Sequence, residues 1–577
     1  MIGAWLACAP PRPPDLVLVT LDTTRADRIG AYGWAEPTPA IDALAARGRR
    51  YAEVYSPIPL TVGAHASLFT GQLPARTQVR SNFDRLPPAA TTLAEQLRGA
   101  GYTTAGFVGA VVTSRAFGFD QGFDAFDDSF PGEERPADEV VDAALRWWSS
   151  RDPRRPAFLW VHLYDPHLPN RPGPGRPDPY DAAIGACDDG IGRLVAALDP
   201  HTTVVAVVGD HGESRGDHGE VAHGLYVYPA TQRVPWVVAG PGIAASVEAA
   251  PVSLVDVAPT LLAAVGAPAL PDPDGRATPA PARPIALESY QLQQRFGLAP
   301  HLGWIDDGYL VLALPRPELY DLRVDPGATS DRSAAEPERV ASMLRRRPSA
   351  PPPPRRQNEL DPQLVQALAT LGYTDGAEEP AGPLPDPKDH TGLLRRVEQA
   401  ELVGFEGRFA EADAMLQRLV AEYPGIAELR GRRAWLLLGA GRAAEAQVEL
   451  RAALALDPGD PSLQVGYASA LAGAGRYAEA AELFQAAADG LPDGSNARAM
   501  AVRAWTDAGE LDRALALAAG WREQHPEELA LAGVTGLALV RAGRFADALP
   551  LLQRAAEAPT PEAGVLVTLA GAAAGRG

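Results

Sequence analysis

The sequence is poor in cysteine, with only Cys8 and Cys187 in 577 residues. Two cysteines cannot build a disulfide framework or a zinc site held by several thiolates, so both kinds of stabilisation are excluded. Long hydrophobic runs are also missing, and no apolar stretch approaches the roughly 18 residues that a membrane-spanning helix requires. The sequence therefore predicts no transmembrane segment.

Basic residues are outnumbered: 52 Lys and Arg oppose 72 Asp and Glu, which gives a net charge of −20. Binding to a nucleic-acid backbone requires clustered basic side chains, so nucleic acid is not an expected partner. A small anionic substrate remains compatible, because one local pocket can oppose the overall field. The hydrophobic content of 46% is typical of a globular protein, and the length predicts two to four domains.

The N-terminal stretch, MIGAWLACAPPRPP, lacks the basic region of a secretory signal and is too short to be a full one. Its Leu6-Ala7-Cys8 followed by prolines resembles the end of a bacterial lipoprotein signal. Two interpretations stay open for residues 1–14. In the first, these residues are the remnant of such a signal, Cys8 is lipidated and the protein is extracytoplasmic or periplasmic. In the second, they are a plain tail on a cytoplasmic protein.

Residues 15–335 alternate between short apolar runs and amphipathic segments, which predicts an α/β domain with a mainly parallel sheet and helices on both faces. The runs at 15–21, 157–163 and 204–208 predict strands buried on both faces. A further strand is predicted at 103–112, and a loop turning into a short helix at 61–71. Predicted helices cover 38–47, 89–100, 137–149, 180–198 and 251–266. Segments 303–314 and 319–322 predict a small C-terminal sheet.

Composition changes after this domain. Residues 336–390 contain the basic, proline-rich stretch 345–356, which predicts an extended linker, with one short helix at 359–371.

The rest of the chain, residues 391–577, repeats with a 34-residue period. Three residue types share the register: a glycine, an alanine five positions later, and a proline. The period resembles that of tetratricopeptide repeats and implies an all-α solenoid whose concave face binds a protein partner. The repeated positions are Gly407, Gly441, Gly475, Gly509 and Gly543, then Ala412, Ala446, Ala480, Ala514 and Ala548, and Pro424, Pro458, Pro492 and Pro526.

Polar residues follow three of the buried strands. Asp22 ends the first, Asp165 and His167 follow the second, and Asp210 with His211 follows the third. Ligands in α/β folds bind beyond the carboxyl ends of such strands. Mixed oxygen and nitrogen donors favour zinc or manganese, and calcium stays open. A bound metal would also give Thr61 a function, because coordination can activate a hydroxyl that is otherwise a poor nucleophile.

The order of motifs over residues 15–335 resembles the sulfatase family of the alkaline phosphatase superfamily. The matching segments are LVTLDTTRADRIGAYG (18–33), TPAIDALAARG (38–48), the loop 61–71, VHLYDPHLP (161–169), VVGDHGESRGDHG (207–219), HGLYVYPATQRVPWVVAGPG (223–242) and ELYDLRVDPG (318–327).

The resemblance implies a role for each matching position. It places one divalent metal on Asp22, Asp210 and His211, with Thr61 bound to the metal as the nucleophile. It implies that Asn82, His167 and His223 contact substrate oxygens, and that His167 or His223 protonates the leaving group. His65 stands where many members have Arg and is assigned to substrate binding. His162 and His218 are expected to have structural roles only.

One departure from the family pattern decides the expected chemistry. Sulfatases carry Cys/Ser-x-Pro-x-Arg, whose first residue becomes formylglycine, whereas here the segment is Thr61-Val-Gly-Ala-His65. Members with Thr include phosphonate and phosphodiester hydrolases and phosphoethanolamine transferases. We therefore expect hydrolysis of a small, glycan-linked or lipid-linked anionic ester, with phosphate or phosphonate favoured over sulfate. Two alternatives stay open: a phosphoryl-group transferase, and a degenerate scaffold that acts through its repeats.

Overall fold

The computed structural model describes residues 12–129, 134–168, 170, 176–346, 383–490, 495–525, 528–556 and 568–569. Cys8 and the predicted short helix at 359–371 lie outside these ranges. The described residues form two compact units. The first contains those up to 292, together with 299–346 and 384–389, and the second contains the others.

The described residues before the repeats form fourteen strands and ten α-helices. The strands are β1 (Asp15–Leu21), β2 (Arg49–Tyr51), β3 (Val54–Tyr55), β4 (Thr103–Phe107), β5 (Ala125–Asp127), β6 (Ala157–Leu163), β7 (Thr203–Gly209), β8 (Trp236–Ala239), β9 (Ser246–Glu248), β10 (Val252–Ser253), β11 (Ile285–Ser289), β12 (His301–Asp306), β13 (Tyr309–Leu312) and β14 (Glu318–Asp321). The helices are α1 (Pro39–Arg47), α2 (Thr61–Thr70), α3 (Pro74–Thr77), α4 (Leu93–Gly99), α5 (Ala137–Ser150), α6 (Pro179–Ala196), α7 (Pro229–Gln232), α8 (Val257–Val265), α9 (Gln291–Phe296) and α10 (Pro337–Arg345).

Eight strands form the main sheet in the order β5-β4-β6-β1-β7-β8-β2-β9. The central strands β6, β1 and β7 run parallel, and every residue of the three is buried. Burial on both faces explains their continuous apolar runs. The mainly parallel sheet predicted from the sequence is therefore confirmed.

Helices cover both faces of this sheet. Leu159 and Val161 of β6 point toward α1, α5 and α6, whose apolar side chains share one core with them. Trp160, between them in sequence, points to the other face, as alternation along a strand requires. There its ring centroid lies 4.7 Å from that of Phe69 on α2.

The register of the central strands brings their carboxyl ends to one place. Leu21 of β1 pairs with Leu163 of β6 and with Gly209 of β7. The backbone N–H of Asp22 then donates to Leu163, and that of Asp210 donates to Leu21. Two carboxylates from distant parts of the sequence therefore emerge side by side.

Three predicted elements differ from the observed ones. Helix α4 begins at Leu93 rather than at residue 89, because Thr92 and Glu95 form a capping box there. Strand β4 ends at Phe107 rather than at residue 112, and a 3₁₀ turn, Val111–Thr113, follows it. The predicted helix at 251–266 is divided into β10, a 3₁₀ turn and α8.

The small sheet is antiparallel, with strand order β11-β12-β13-β14. Helix α10 lies in the segment predicted as linker, and its Val340 and Met343 share a core with Trp304 and Val311 of this sheet. Cys187 is buried on α6 as a free thiol. In the described part of the chain, no helix is both long and apolar enough to cross a membrane.

The second unit consists of helices that pack each against the next. The five repeated glycines all have positive φ, between 73° and 83°, and lie just beyond helix ends, where a left-handed residue closes a helix. The five repeated alanines are fully buried. Pro492 and Pro526 lie outside the described residues. The helices are Thr391–Phe405, Phe409–Glu422, Ala427–Gly439, Ala443–Leu456, Pro461–Gly473, Tyr477–Gly490, Ser495–Asp507, Leu511–Gln524, Leu529–Arg541 and Phe545–Ala555.

Candidate active site

Asp22, Asp210 and His211 form a buried cluster at the carboxyl ends of β1 and β7. One ligand atom from each lies within 4.8 Å of the others, and none of the three residues is exposed to solvent. They are three of the four metal ligands that the resemblance implies, and the structure brings them together. The fourth, Thr61, has its Oγ1 3.2 Å from Nε2 of His211.

Among the described residues, hydrogen-bond donors engage one oxygen of Asp210, and the other oxygen accepts no hydrogen bond of ordinary geometry. Oδ1 accepts hydrogen bonds from the backbone N–H of Thr23, at 3.0 Å, and of His211, at 2.6 Å. Thr23 has a φ of 46°, in the left-handed region that β-branched residues avoid. Its strained conformation directs its N–H at Asp210, which fixes the carboxylate and leaves Oδ2 facing the cluster.

His211 has a defined tautomer. Nδ1 lies 3.0 Å from the carbonyl oxygen of Gly212, so Nδ1 carries the proton and donates it. Nε2 therefore presents a lone pair, which lies 3.2 Å from Oγ1 of Thr61 and 3.5 Å from Oδ2 of Asp210. Burial lowers the pKa of His211 well below its usual value, which keeps this lone pair available.

Thr61 is the first residue of α2, and Asn82 holds the start of that helix. Oδ1 of Asn82 accepts a hydrogen bond from the backbone N–H of Val62 at 3.0 Å, one of the donors that a helix start leaves unpaired. Nδ2 of Asn82 is buried and donates no hydrogen bond of ordinary geometry to the described residues. Asn82 thus fixes Thr61 with one end of its amide and keeps a donor at the other.

His65 lies one turn further along α2 and is fully buried. Its Nδ1 donates to the carbonyl oxygen of Thr61 at 2.9 Å, and its Nε2 accepts from Oγ1 of Thr20 at 3.1 Å. Trp160 donates in turn to Thr20. Burial lowers the pKa of His65 to about 3, so the ring is neutral. Both ring nitrogens thus have protein partners, in an arrangement that orients the backbone of Thr61.

His162 and Thr113 support Asp22 from behind. Nε2 of His162 lies 3.2 Å from Oδ2 of Asp22. Nδ1 faces the backbone N–H of Gly109, at 3.4 Å, and the hydroxyl of Thr113, at 3.1 Å. The sequence predicts a structural role for His162, with its ring nitrogens bonded to its neighbours. In the structure one of these neighbours is Asp22, a predicted metal ligand.

Two further histidines form one side of the cluster. The rings of His167 and His223 are 5.1 Å apart, and that of His223 is 4.5 Å from His211. Nδ1 of His223 pairs with Oε1 of Glu213 at 3.2 Å, and the carboxylate is fully buried. His167 stacks on Tyr164, and its Nδ1 donates to the carbonyl oxygen of Leu168.

The cluster fits a divalent cation. Oδ1 of Asp22 and Oδ2 of Asp210 are buried and accept no hydrogen bond of ordinary geometry from the described residues. Burial raises the pKa of Asp22 to about 7 and, together with the charge of Asp22, raises that of Asp210. Two buried carboxylates that each leave one oxygen without a hydrogen bond are costly, and a cation that also accepts the lone pair of His211 would satisfy both oxygens. Two oxygens and one imidazole nitrogen suit zinc or manganese.

The sequence did not indicate Glu213 as a residue of the site, and it predicted only a structural role for His162. Glu213 stands only two positions after His211, in DHGE, and its pairing with His223 was not foreseen. The side chain of His162 points to the opposite face of β6 from those of Val161 and Leu163. Only its place as the second-last residue of the strand indicates that it reaches Asp22. The structure places His218 away from the cluster, where it stacks on Tyr228 and meets the carbonyl oxygen of Gly327.

Comparisons with known proteins agree with this fold. The model of the Sulfatase family matches residues 14–267, and that of the Tetratricopeptide repeat matches 406–465 and 471–535. Arylsulfatase A of Homo sapiens is 38% identical over 110 residues, which cover 18% of this chain and 21% of that protein. Choline-sulfatase of Rhizobium meliloti is 25% identical over 321 residues, 39% of this chain and 62% of that protein.

The chain thus spans less than two thirds of the length of either relative. A solved structure, the phosphonate monoester hydrolase of Agrobacterium radiobacter, superposes with a TM-score of 0.51 at 20% identity and covers 58% of this chain and 94% of that one, which shows a shared fold. Together with the buried Asp/His cluster and the 34-residue repeat, these matches show a sulfatase-family domain within residues 14–267, followed by tetratricopeptide repeats within residues 406–535.

Proposed function

We propose that the chain is a metal-dependent hydrolase of anionic esters in which Thr61 is the nucleophile. One observation carries the proposal. Two buried carboxylate oxygens, Oδ1 of Asp22 and Oδ2 of Asp210, accept no hydrogen bond of ordinary geometry from the described residues. They converge with the lone pair of His211, whose Nε2 lies 3.2 Å from the Thr61 hydroxyl. Burying such a cluster lowers the stability of the fold unless a cation binds it, and clusters of this kind are typical of functional sites.

Asp22, Asp210 and His211 would hold the cation. When bound, it would supply positive charge that favours the ionised hydroxyl of Thr61 and offsets the charge of an ester group. Thr61 is held at the start of α2 by Asn82 and His65, so its Oγ1 meets the substrate in a fixed orientation.

The reaction has two steps. Oγ1 of Thr61 bonds to phosphorus as the bond from phosphorus to the leaving oxygen breaks. The hydroxyl proton passes to solvent, and the leaving oxygen takes a proton from His167 or His223. Water then attacks the phosphothreonine and gives a proton to the histidine that protonated the leaving group. The bond from phosphorus to Oγ1 of Thr61 breaks, and Oγ1 takes a proton back from solvent. Glu213 orients His223 for this proton transfer, and Nδ2 of Asn82 donates to a non-bridging oxygen.

Residue 61 favours phosphorus over sulfur. A formylglycine can eject sulfate by elimination after the ester forms, but threonine cannot, so a sulfothreonine would be slow to resolve. We therefore place phosphonate esters and phosphodiesters ahead of sulfate esters, and glycan-linked or lipid-linked esters remain within this class. The names of the two sulfatase relatives make sulfate esters the competing substrate to be tested beside them.

We also propose a protein partner for the tetratricopeptide repeats, and an extracytoplasmic location with Cys8 as a lipid anchor. The repeats support the first, because such helical arrays commonly bind segments of other proteins. The Leu-Ala-Cys motif before a proline-rich spacer supports the second. Mass spectrometry of the mature protein from a membrane fraction would detect the lipid.

The function can be tested with the full chain and aryl phosphonate, phosphodiester and sulfate esters. Bound metal is counted by elemental analysis, and turnover is followed with wild type, Thr61→Ala and Asp210→Asn. Thr70→Ala, at the other end of α2, is the matched control, since its hydroxyl donates to Ala66 and accepts from Gln72, away from the cluster. Mass spectrometry of acid-quenched enzyme tests for phosphothreonine at residue 61.

We expect one metal per chain and a loss of turnover of at least about a thousandfold in Thr61→Ala with metal retained. Asp210→Asn should lose both metal and turnover, whereas Thr70→Ala should keep them. Full turnover in Thr61→Ala would remove the nucleophile from the proposal. No turnover of any ester by metal-loaded wild type would favour a scaffold that acts through its repeats.

A further inference from the structure

The loop that carries Glu213 and His223, residues 213–228, is held by the small antiparallel sheet. Three of its strands contribute one side chain each. Ser289 of β11 donates its hydroxyl to the carbonyl oxygen of Gly224. His301 of β12 accepts the backbone N–H of Val227 at Nδ1, over 3.2 Å. Glu318 of β14 accepts the hydroxyl of Tyr228 over 2.8 Å. The position of His223 therefore depends on a sheet that contributes none of the clustered residues.

Glu318 is the centre of the third contact. It is a buried carboxylate, 5% exposed, and its Oε2 accepts from the hydroxyls of both Tyr228 and Tyr320 at 2.8 Å. Burial and the charge of Glu318 raise the pKa of both tyrosines, so they stay protonated and act as donors. His218 stacks on the Tyr228 ring with 3.5 Å between the centroids. Two hydroxyl donors therefore converge on one oxygen of a buried side chain.

Lys388 supplies the charge that this carboxylate needs. Its Nζ lies 3.2 Å from Oε1 of Glu318, the oxygen that the tyrosines do not use, and also donates to the carbonyl oxygen of Arg316. A buried carboxylate that loses such a partner is strongly destabilised. Lys388 is the only lysine in the sequence of 577 residues, and the other 51 of the 52 Lys and Arg residues are arginines.

Lys388 lies in a short segment that the first unit holds firmly. The segment is Leu384–Asp389, far from the catalytic motifs in sequence and just before the first repeat helix. Arg316 pairs with Asp386 and with Asp389, and the backbone N–H of Ala299 donates to the carbonyl oxygen of Pro385. The contacts of the buried Asp386 and of Pro385 anchor the segment and place the ammonium group of Lys388 at Glu318, whereas the exposed Arg316–Asp389 pair adds little.

We propose that Lys388 is a positioning residue for the reaction, acting through Glu318 and Tyr228 on the loop that carries Glu213 and His223. The proposal rests on the proposed function, because it gives His223 a role in proton transfer. The ammonium group of Lys388 balances the charge of Glu318, so that Glu318 can accept from both tyrosines. Tyr228 in turn fixes the end of the loop. Without the ammonium group, water would hydrate Glu318 and the hydrogen bond from Tyr228 would break. The loop would then become mobile, and His223 would move away from His167.

The test compares full-length, metal-loaded wild type with Lys388→Met, Lys388→Arg and Asp389→Asn. Methionine keeps the aliphatic stem and removes the charge, arginine keeps the charge, and Asp389→Asn removes an ion pair of the same segment that does not involve Glu318. Hydrogen exchange of the peptide containing Val227 reports on the loop without any substrate. Steady-state kinetics with an aryl phosphonate separates kcat from KM.

We expect Lys388→Met to exchange the Val227 peptide at least about tenfold faster and to lower kcat about tenfold, with KM within twofold of wild type. Lys388→Arg should restore most of both, and Asp389→Asn should match wild type. Unchanged exchange and kcat in Lys388→Met would overturn the proposal. So would equal losses in Lys388→Met and Lys388→Arg, because a packing role, unlike a charge role, is not rescued by arginine.

A second variant keeps the test informative if Lys388→Met folds poorly. In Lys388→Met/Glu318→Gln the amide still accepts from the tyrosines and no longer needs a counter-charge, so loop protection should return. Failure of the double variant to restore protection would contradict the charge argument. If wild type turns over no ester, the proposed function fails while the exchange measurement still decides whether Lys388 holds the loop.

Discussion

His162 donates its Nε2 proton to Oδ2 of Asp22 across 3.2 Å. The direction follows from the other ring nitrogen, because the backbone N–H of Gly109 points at Nδ1 and can only donate. The bond fixes the Asp22 carboxylate and leaves Oδ1 for the proposed cation. Partners of this kind, one step behind a ligand, typically change metal affinity when removed.

Removing this donor should therefore weaken metal binding. We expect His162→Ala to raise the metal dissociation constant about 10–100-fold. His162→Gln should lose less, because its amide can donate to Asp22 from a similar position. Titration against a chromogenic chelator measures both. The exposed His201 provides the control, and a His162→Ala protein that binds metal as tightly as His201→Ala would refute the prediction.

Asn82 should separate two roles that one amide performs. Asn82→Asp keeps the oxygen that accepts from Val62 and replaces the free donor with an acceptor, so folding should be kept while turnover falls and KM rises. Asn82→Ala leaves the buried Val62 N–H unpaired, which should cost about 1–3 kcal/mol of stability as well. Chemical denaturation and steady-state kinetics of the two variants together provide the measurement. Equal kinetics for Asn82→Asp and wild type would exclude a substrate contact.

His301 predicts a pH dependence of stability. Burial lowers its pKa to about 3, against about 6.5 in an unfolded chain, so between these values only the unfolded chain binds the proton. Stability from this group is complete above pH 6.5 and is lost as the pH falls toward 3, by up to about 1.4 kcal/mol per pH unit.

His301→Asn should flatten this dependence, because asparagine can accept from Val227 and does not titrate. Urea unfolding of wild type and variant at pH 7.5 and 5.5 measures the difference. Wild type should lose more stability on acidification than His301→Asn, and His201→Asn should follow wild type. Parallel losses in wild type and His301→Asn would show that His301 is not neutral in the folded protein.

The sequence predicted those parts of the site that follow from strand ends. Asp22 and Asp210 each come directly after an apolar run, and parallel pairing in register carries both to one edge. The sequence could not show which carboxylate oxygen is already engaged, because that depends on Thr23, whose left-handed backbone carries no signature in a threonine. The tautomers of His65, His162 and His211 were likewise inaccessible, since each is set by a partner distant in sequence or by local backbone geometry.

The supporting contacts were the least predictable. Glu318 and Lys388 are 70 positions apart, and no period or motif connects them. Helix α4 shows a related limit: its apolar pattern extends back to residue 89, but the capping box at Thr92 decides where the helix begins. By contrast, the spacing of glycine and alanine predicted the repeat correctly, because each turn requires a residue with positive φ.

That backbone requirement gives a last prediction. Gly441 has a φ of 73°, and a Cβ added there would meet no atom within 4 Å, so Gly441→Ala tests backbone strain alone. Adopting the left-handed conformation should cost alanine about 1–2 kcal/mol. Gly439, two residues earlier, ends its helix with equally open space, so Gly439→Ala should be neutral or gain up to about 1 kcal/mol. Helical circular dichroism during urea unfolding compares the two, and equal effects would mean that the turn does not hold Gly441 in the left-handed conformation.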